Sequence, residues 1–133
     1  MPVIQNPSIV APQLDEELKQ EVQQIVDAEQ QVIVHCKYTA TAEGDMIRIW
    51  KSTFLYARES SHKSSLINTQ KISIYPNWTF VDDNKAFYFT LIFSGLPTSC
   101  KSFDLIENIP EPGGFFVANI IRNNLDVYNV DIL

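Results

Sequence analysis

Glycine is scarce in this chain, four residues in 133, and that scarcity removes whole classes of chemistry. A phosphate cradle needs a glycine-rich loop, and neither Gly-x-Gly-x-x-Gly nor a phosphate loop is present. Nor is there a Gly-x-Ser-x-Gly elbow for a serine nucleophile; Ser94-Gly95 reads as a turn. Cysteine and histidine number two each, so His35, Cys36, His62 and Cys100 are the whole stock of soft metal ligands. Adjacent residues of a strand point to opposite faces, so His35 and Cys36 do not share a metal, and no other pair has the spacing structural zinc uses. Positive charge is also short. Ten Lys and Arg stand against sixteen Asp and Glu, a net charge of −6. A nucleic-acid binder carries a basic stripe, and none is visible, so nucleic acid and anionic membrane surfaces are poor partners. No apolar run approaches the roughly 20 residues of a membrane helix. The start, Met1-Pro-Val-Ile-Gln-Asn, lacks the basic and long apolar regions of a secretory signal, so a cytoplasmic protein is expected.

What is present is ordinary globular material. At 133 residues the chain fits one domain with a core of its own. Three zones follow one another. Residues 1–13 hold Pro2, Pro7 and Pro12 and no charged side chain, which predicts an extended arm. Residues 14–30 switch to a helical period, with Leu14, Leu18, Val22, Ile25 and Val26 in a narrow apolar stripe. Asp15, Glu16, Glu17, Glu21, Asp27 and Glu29 stand there against Lys19 alone. That amphipathic helix therefore carries most of the negative charge, with acids at the end its dipole favours.

From 31 to 133 the period becomes two. Phe87, Phe89, Leu91 and Phe93 fall on one face of a strand, with Tyr88, Thr90 and Ile92 on the other. Val32, Val34, Cys36 and Tyr38 alternate with Ile33, His35 and Lys37 in the same way. Met46 to Leu55 reads as one β-branched and aromatic strand after a Glu43-Gly44-Asp45 turn. Residues 58–65 are polar throughout and read as an exposed loop. Ile72, Ile74, Trp78 and Phe80 share one parity, but Pro76 between them belongs on a sheet edge or at a switch between sheets. Further strands are expected around Phe103 and Leu105, from Phe115 to Ile121, and from Val127 to Ile132. About seven strands without helices between them predict a mainly β, antiparallel sandwich, with a closed barrel as the competitor.

The carboxylates offer little. Asp82 and Asp83 with Asn84 form a turn more simply than a calcium loop, which needs six to eight oxygens. Asp104 and Glu107 lie three apart in a strand, on opposite faces, so with Glu111 they read as solvated edge charges rather than an acid–base pair. No catalytic, cofactor or metal residue is assigned. Asn77-Trp78-Thr79 is a glycosylation acceptor only in a secretory route. A sandwich core is expected to account for most of Trp50, Tyr56, Tyr75 and Trp78, with the lining of a ligand groove as the alternative.

The run Phe89-Thr-Leu-Ile-Phe-Ser-Gly-Leu-Pro97, then Ser102-Phe-Asp-Leu-Ile-Glu107, then Gly114-Phe-Phe-Val-Ala-Asn-Ile120 resembles a family of uncharacterised bacterial immunoglobulin-like β-sandwich proteins. Ile47-Arg-Ile-Trp50 and Asp126-Val-Tyr128 fit the same pattern. The resemblance implies a fold and carries over no activity, cofactor or catalytic residue. Cys36, Trp50 and Cys100 also mimic the Cys…Trp…Cys order of antibody-type domains, which raises a Cys36–Cys100 disulfide. Against it, Cys100 follows a turn, Thr98 stands where a corner tyrosine would, and a cytoplasmic setting disfavours the bond. Cys36 reads better as a small buried hydrophobe.

The expectation from sequence is a non-enzymatic binding or assembly module without cofactor. Its partner is a protein or a second copy, engaged through the arm and the Leu14–Leu18–Val22–Ile25–Val26 stripe; the other destination for the stripe is an open end or face of its own sandwich. The alternative is a sandwich that binds a small ligand, sugar or lipid, in an aromatic-lined pocket. An enzyme would need two of His35, His62, Asp104 and Glu107 within hydrogen-bond reach.

Overall fold

The computed structural model describes residues 30–40, 45–82 and 85–132. The segments expected to form the arm and the helix, with the stripe residues Leu14, Leu18, Val22, Ile25 and Val26, lie outside the described residues, as do Glu43, Gly44, Asp83 and Asn84. What is described is mainly β. The strands are β1 (Gln31–Thr39), β2 (Met46–Ile47), β3 (Thr53–Ala57), β4 (Lys63–Gln70), β5 (Thr79–Phe80), β6 (Ala86–Ser94), β7 (Ser102–Glu107), β8 (Phe116–Ile121) and β9 (Val127–Ile132). Seven of them form one sheet in the order β8-β7-β3-β4-β6-β1-β9, and β2 with β5 makes a separate two-stranded ribbon.

The strongest alternation in sequence forms the longest ladder. β1 and β6 pair antiparallel without a break from Gln31↔Ser94 to Thr39↔Ala86. Val32, Val34 and Cys36 face Phe93, Leu91 and Phe89, all buried, while His35, Lys37 and Tyr88 point out. Phe103 and Leu105 of β7 and Leu55 of β3 join the same core. Each large apolar side chain so buried contributes roughly 1.5–3 kcal/mol of transfer free energy before entropy is subtracted.

β4 shows how the sheet bends. Its first residues, Lys63 to Ser65, pair with β3, and its later ones, Leu66 to Gln70, pair with β6. The register shifts at Ile67, an irregularity that sharpens twist where the strand changes neighbours. β8 and β9 stand at opposite ends of the strand order, yet only residues 122–126 link them and the two strands touch. The sheet therefore curls until its ends meet over the shared core. Phe103 of β7 lies edge-on to Tyr128 of β9 at 5.0 Å, and Phe89 of β6 lies 6.4 Å from Phe115 just before β8.

The link 122–126 is tightly held. Arg122 donates to both oxygens of Asp126 at 2.6 and 3.0 Å and to the carbonyls of Pro97 and Cys100 at 2.7 and 3.2 Å. Tyr128 donates its hydroxyl to Asp126 at 2.9 Å and accepts the Asn123 N–H at 3.0 Å. The Asn123 side chain accepts from the N–H groups of Leu125 and Asp126. Asp126 sits in the left-handed region, φ 55°, and these bonds hold it there. Burial pushes the Tyr128 phenol up to about 12, and the hydrogen bonds that Arg122 donates to Asp126 raise the pKa of the guanidinium.

Four expectations are corrected. β9 runs parallel to β1, not antiparallel, because the link carries the chain across the fold and no hairpin dictates its direction. Residues 58–65 are not all loop; after a turn β4 begins at Lys63, and Ser64 is fully buried with its hydroxyl on the Gly95 carbonyl. Met46 to Leu55 is two strands, broken where the Thr53 hydroxyl bonds the Trp50 carbonyl. Pro76 follows a cis Tyr75–Pro76 peptide in a turn, after which the parity of Ile72 and Ile74 no longer holds. Ile72 is buried, whereas Trp78 and Phe80 are exposed.

Candidate functional site

At the end of the core nearest Tyr38, the ribbon and the β7–β8 loop enclose an open cleft of about 270 Å³. Ile47 and Ile49 point into the core, which turns Met46, Arg48 and Trp50 the other way. Arg48 is the centre of the wall. Its guanidinium carbon lies 3.7 Å from the Trp78 ring centre and 4.6 Å from that of Tyr75, and Tyr75 stacks on Trp50 at 3.8 Å. One N–H of Arg48 goes to the Pro76 carbonyl at 3.1 Å, and Glu111 is 3.9 Å away on the rim. Ser73 and Thr79 tie the base of the turn together by paired hydrogen bonds.

The floor is Glu107. Its two oxygens accept the backbone N–H groups of Trp50 and Phe115, each at 3.0 Å, so one carboxylate fastens the β2–β3 turn to the start of β8. Burial raises its pKa above the usual carboxylate range, against the lowering effect of those N–H groups and of Arg48; Glu111 adds to the rise. Gly114 completes the contact, because a side chain there would run into the Glu107 carbonyl. Tyr38 closes one side and donates to Asp45 at 3.3 Å; burial, then Asp45, raises its pKa.

The reading of Glu107 as a solvated edge charge is thus overturned. It shares parity with Phe103 and Leu105 and points inward with them, a signal present in the sequence. Asp104 points out, to Arg58 and the Asn119 N–H. His35 bonds Thr90, and His62 bonds Ser64 and the Gly95 carbonyl. These four residues bind separate partners and do not converge. Among the described residues no three His, Cys, Asp or Glu gather as metal ligands.

Cys36 and Cys100 are buried free thiols, so the disulfide is not made. Cys36 faces the core beside the Val34 carbonyl and its thiol is pushed up to about 12 by burial, an unreactive state. Cys100 sits in the turn before β7, its thiol on the Ser102 carbonyl. Trp50 lines the cleft instead of packing on a bridge.

Of the four aromatics, Trp50 and Trp78 line the cleft, Tyr75 stacks behind them, and Tyr56 is elsewhere, accepting from Asn108. Arg48 escaped sequence reasoning; the hint was a lone cation alternating between Met46 and Trp50. The chain matches no protein-family model, no curated protein and no solved structure.

Proposed function

We propose that this chain is a non-enzymatic binding or assembly module built on an immunoglobulin-like β-sandwich, whose binding face is the aromatic ribbon and the adjoining cleft. The switch of β4 between partners supports the sandwich. So does the Tyr128 hydroxyl reaching back to Asn123, in the manner of a tyrosine corner. One observation carries the binding reading. Met46, Tyr75, Trp78 and Phe80 are 42, 45, 47 and 76% exposed around Arg48, far more than a core would leave open. Met, Tyr, Trp, Phe and Arg are the residue types enriched at protein interfaces, and a contiguous exposed patch of this kind marks a contact surface. The partner is a protein, a second copy included.

A photo-activatable side chain at position 80, in the native cell, gives discrete covalent adducts; the same group at 88, exposed on β6 and outside the ribbon cleft, gives none. Absence of adducts from position 80 defeats the reading. The cleft itself favours a second reading, a small sugar or lipid bound against Trp78. Thermal stabilisation by such a ligand, lost in Trp78→Ala, is its signature.

A further inference from the structure

We propose that residues 14–29 fold back as a helix over the outer face of β6, β1 and β9 of their own chain, with Ile25 and Val26 seated on an apolar row made by Ile92, Ile33 and Val127. The proposal stands apart from the ribbon reading and assigns the stripe to the fold rather than to a partner.

The ladders lay that face out in rows. Val32, Val34 and Cys36 face the core, so Ile33, His35 and Lys37 face away from it. Their partners are Ile92, Thr90 and Tyr88 on β6, and Val127, Asn129 and Asp131 on β9. A hydrogen bond of 2.8 Å between His35 and Thr90 spans two strands on this face. The rows through His35 and Lys37 are polar apart from Tyr88. The row through Ile33 is apolar throughout, three β-branched side chains abreast on strands about 5 Å apart. Ile67, 50% exposed, stands beside it where β4 changes register, and Leu125, 81% exposed, comes two residues before Val127. A sheet face left to water is polar along its whole length. This one departs from that rule at a single end.

That end is where the chain enters the fold. Gln30 lies three residues before Ile33, whose N–H bonds the Asp126 carbonyl at 2.9 Å. Residues 27–29 join Val26 to Gln30, so Val26 lies within about 14 Å of Gln30 even with the join fully extended. The ribbon cleft and Phe116 are at the opposite end, level with Tyr38 and Glu107, about 26 Å along β1. Ile25 and Val26 therefore reach the apolar row and fall short of the cleft in the same chain.

The stripe needs cover, because a helix of this length is marginal in water by itself. A join of three residues holds it against its own sheet at an effective concentration that a free second copy does not match. The spacing also agrees. From Val26 to Leu18 a helix rises about 12 Å, and from the row of Ile33 to that of Lys37 is about 13 Å. A helix running back along β1 thus brings Leu18 beside Tyr88, 61% exposed. Its six acids then share a face with His35 and Lys37, against the single Asp131.

Cysteine trapping in the full-length chain tests this, since the native thiols at 36 and 100 are buried. Val26→Cys with Val127→Cys closes an intramolecular disulfide under mild oxidation, seen as a faster-migrating monomer on a non-reducing gel. Val26→Cys with Phe80→Cys closes none. Leu125→Cys replaces Val127→Cys should that chain lose its cooperative melt. Hydrogen exchange supplies a second readout. Amides 18–28 exchange slowly in the wild type, and Ile33→Thr with Val127→Thr speeds them at least about tenfold while β6 keeps its protection. Cross-linked dimers in place of the monomer make a second copy the occupant and overturn the proposal. So does the absence of a disulfide to both 127 and 125, or exchange at 18–28 that the double threonine change leaves unaltered. None of these results touches the adducts expected from position 80.

Discussion

Arg48 and Arg122 each leave 15% of the side chain open to solvent, yet they do opposite things. Arg122 uses its N–H groups. Two go to Asp126 and others to the Pro97 and Cys100 carbonyls, so the group fastens the β8–β9 link to the turn before β7. Arg48 uses its faces. It lies between Trp78 and Tyr75, holds one carbonyl, and stands 3.9 Å from a half-exposed Glu111. The first arrangement uses four of the five N–H groups and acts as a structural clamp. The second holds two large rings at the surface, Tyr75 stacked further on Trp50 and Trp78 left about half exposed. Equal burial therefore says little about role, and the direction in which the donors point says a great deal.

Removing Asp126 is the sharpest way to break this contrast. Asp126→Ala strands a desolvated guanidinium and the Tyr128 hydroxyl, and it costs about 3 kcal/mol by urea unfolding. A loss below about 1 kcal/mol would mean that solvent already satisfies Arg122.

Glu107→Gln follows, at about 1–3 kcal/mol, because an amide cannot accept from both the Trp50 and Phe115 N–H groups. Its pH signature is distinct. The folded pKa of Glu107 is raised by burial, so the folded state holds its proton more tightly than the unfolded one. The stability this contributes is complete below the ordinary Glu value of about 4.3 and disappears as pH rises through the raised value. Denaturant titrations in steps upward from about pH 4 should show that decline in the wild type and lack it in Glu107→Gln.

Tyr128→Phe comes next, at about 1 kcal/mol for one shared hydroxyl. The phenol is pushed up to about 12, so its protonated form belongs to the fold. Its share of stability is present below the free tyrosine value of about 10 and is lost as pH climbs through the folded value. An absorbance titration should show a late tyrosine, beyond the raised Tyr38, that the variant lacks.

Arg48→Met has the smallest effect on folding, about 0.5–1 kcal/mol for the lost cation–π contacts. Tryptophan emission nonetheless shifts, since the rings lose their spacer. A stability loss as large as that of Asp126→Ala would erase the distinction between the two arginines.

How much was readable beforehand follows from the same physics. β1, β6, β7 and β9 were legible because alternation of large apolar and polar side chains leaves one face for the core. β4 was not, because Lys63 to Gln70 has little apolar content and its ladders with β3 and β6 make it a strand. Trp78 and Phe80 were assigned the parity of Ile72 and Ile74, and the turn at Pro76 reset it. The aromatic groove was among the readings of the sequence, but Arg48 as its centre was not. Arg48 is distant in sequence from Tyr75 and Trp78, and the β2–β5 ladder with the parallel bridge between Ile49 and Ile74 brings them together.

Period and composition alone dictated that residues 31–133 are mainly β and which strand faces are apolar, while the sequence lacks glycine-rich phosphate motifs and closely spaced Cys or His pairs. Those properties are local, set by neighbours one or two positions away. The curl that brings β8 to β9, the parallel pairing of β1 and β9, the inward turn of Glu107 and the ring-bound Arg48 were decided by tertiary structure. Each depends on segments that no local rule relates, which meet only when a common core draws them together.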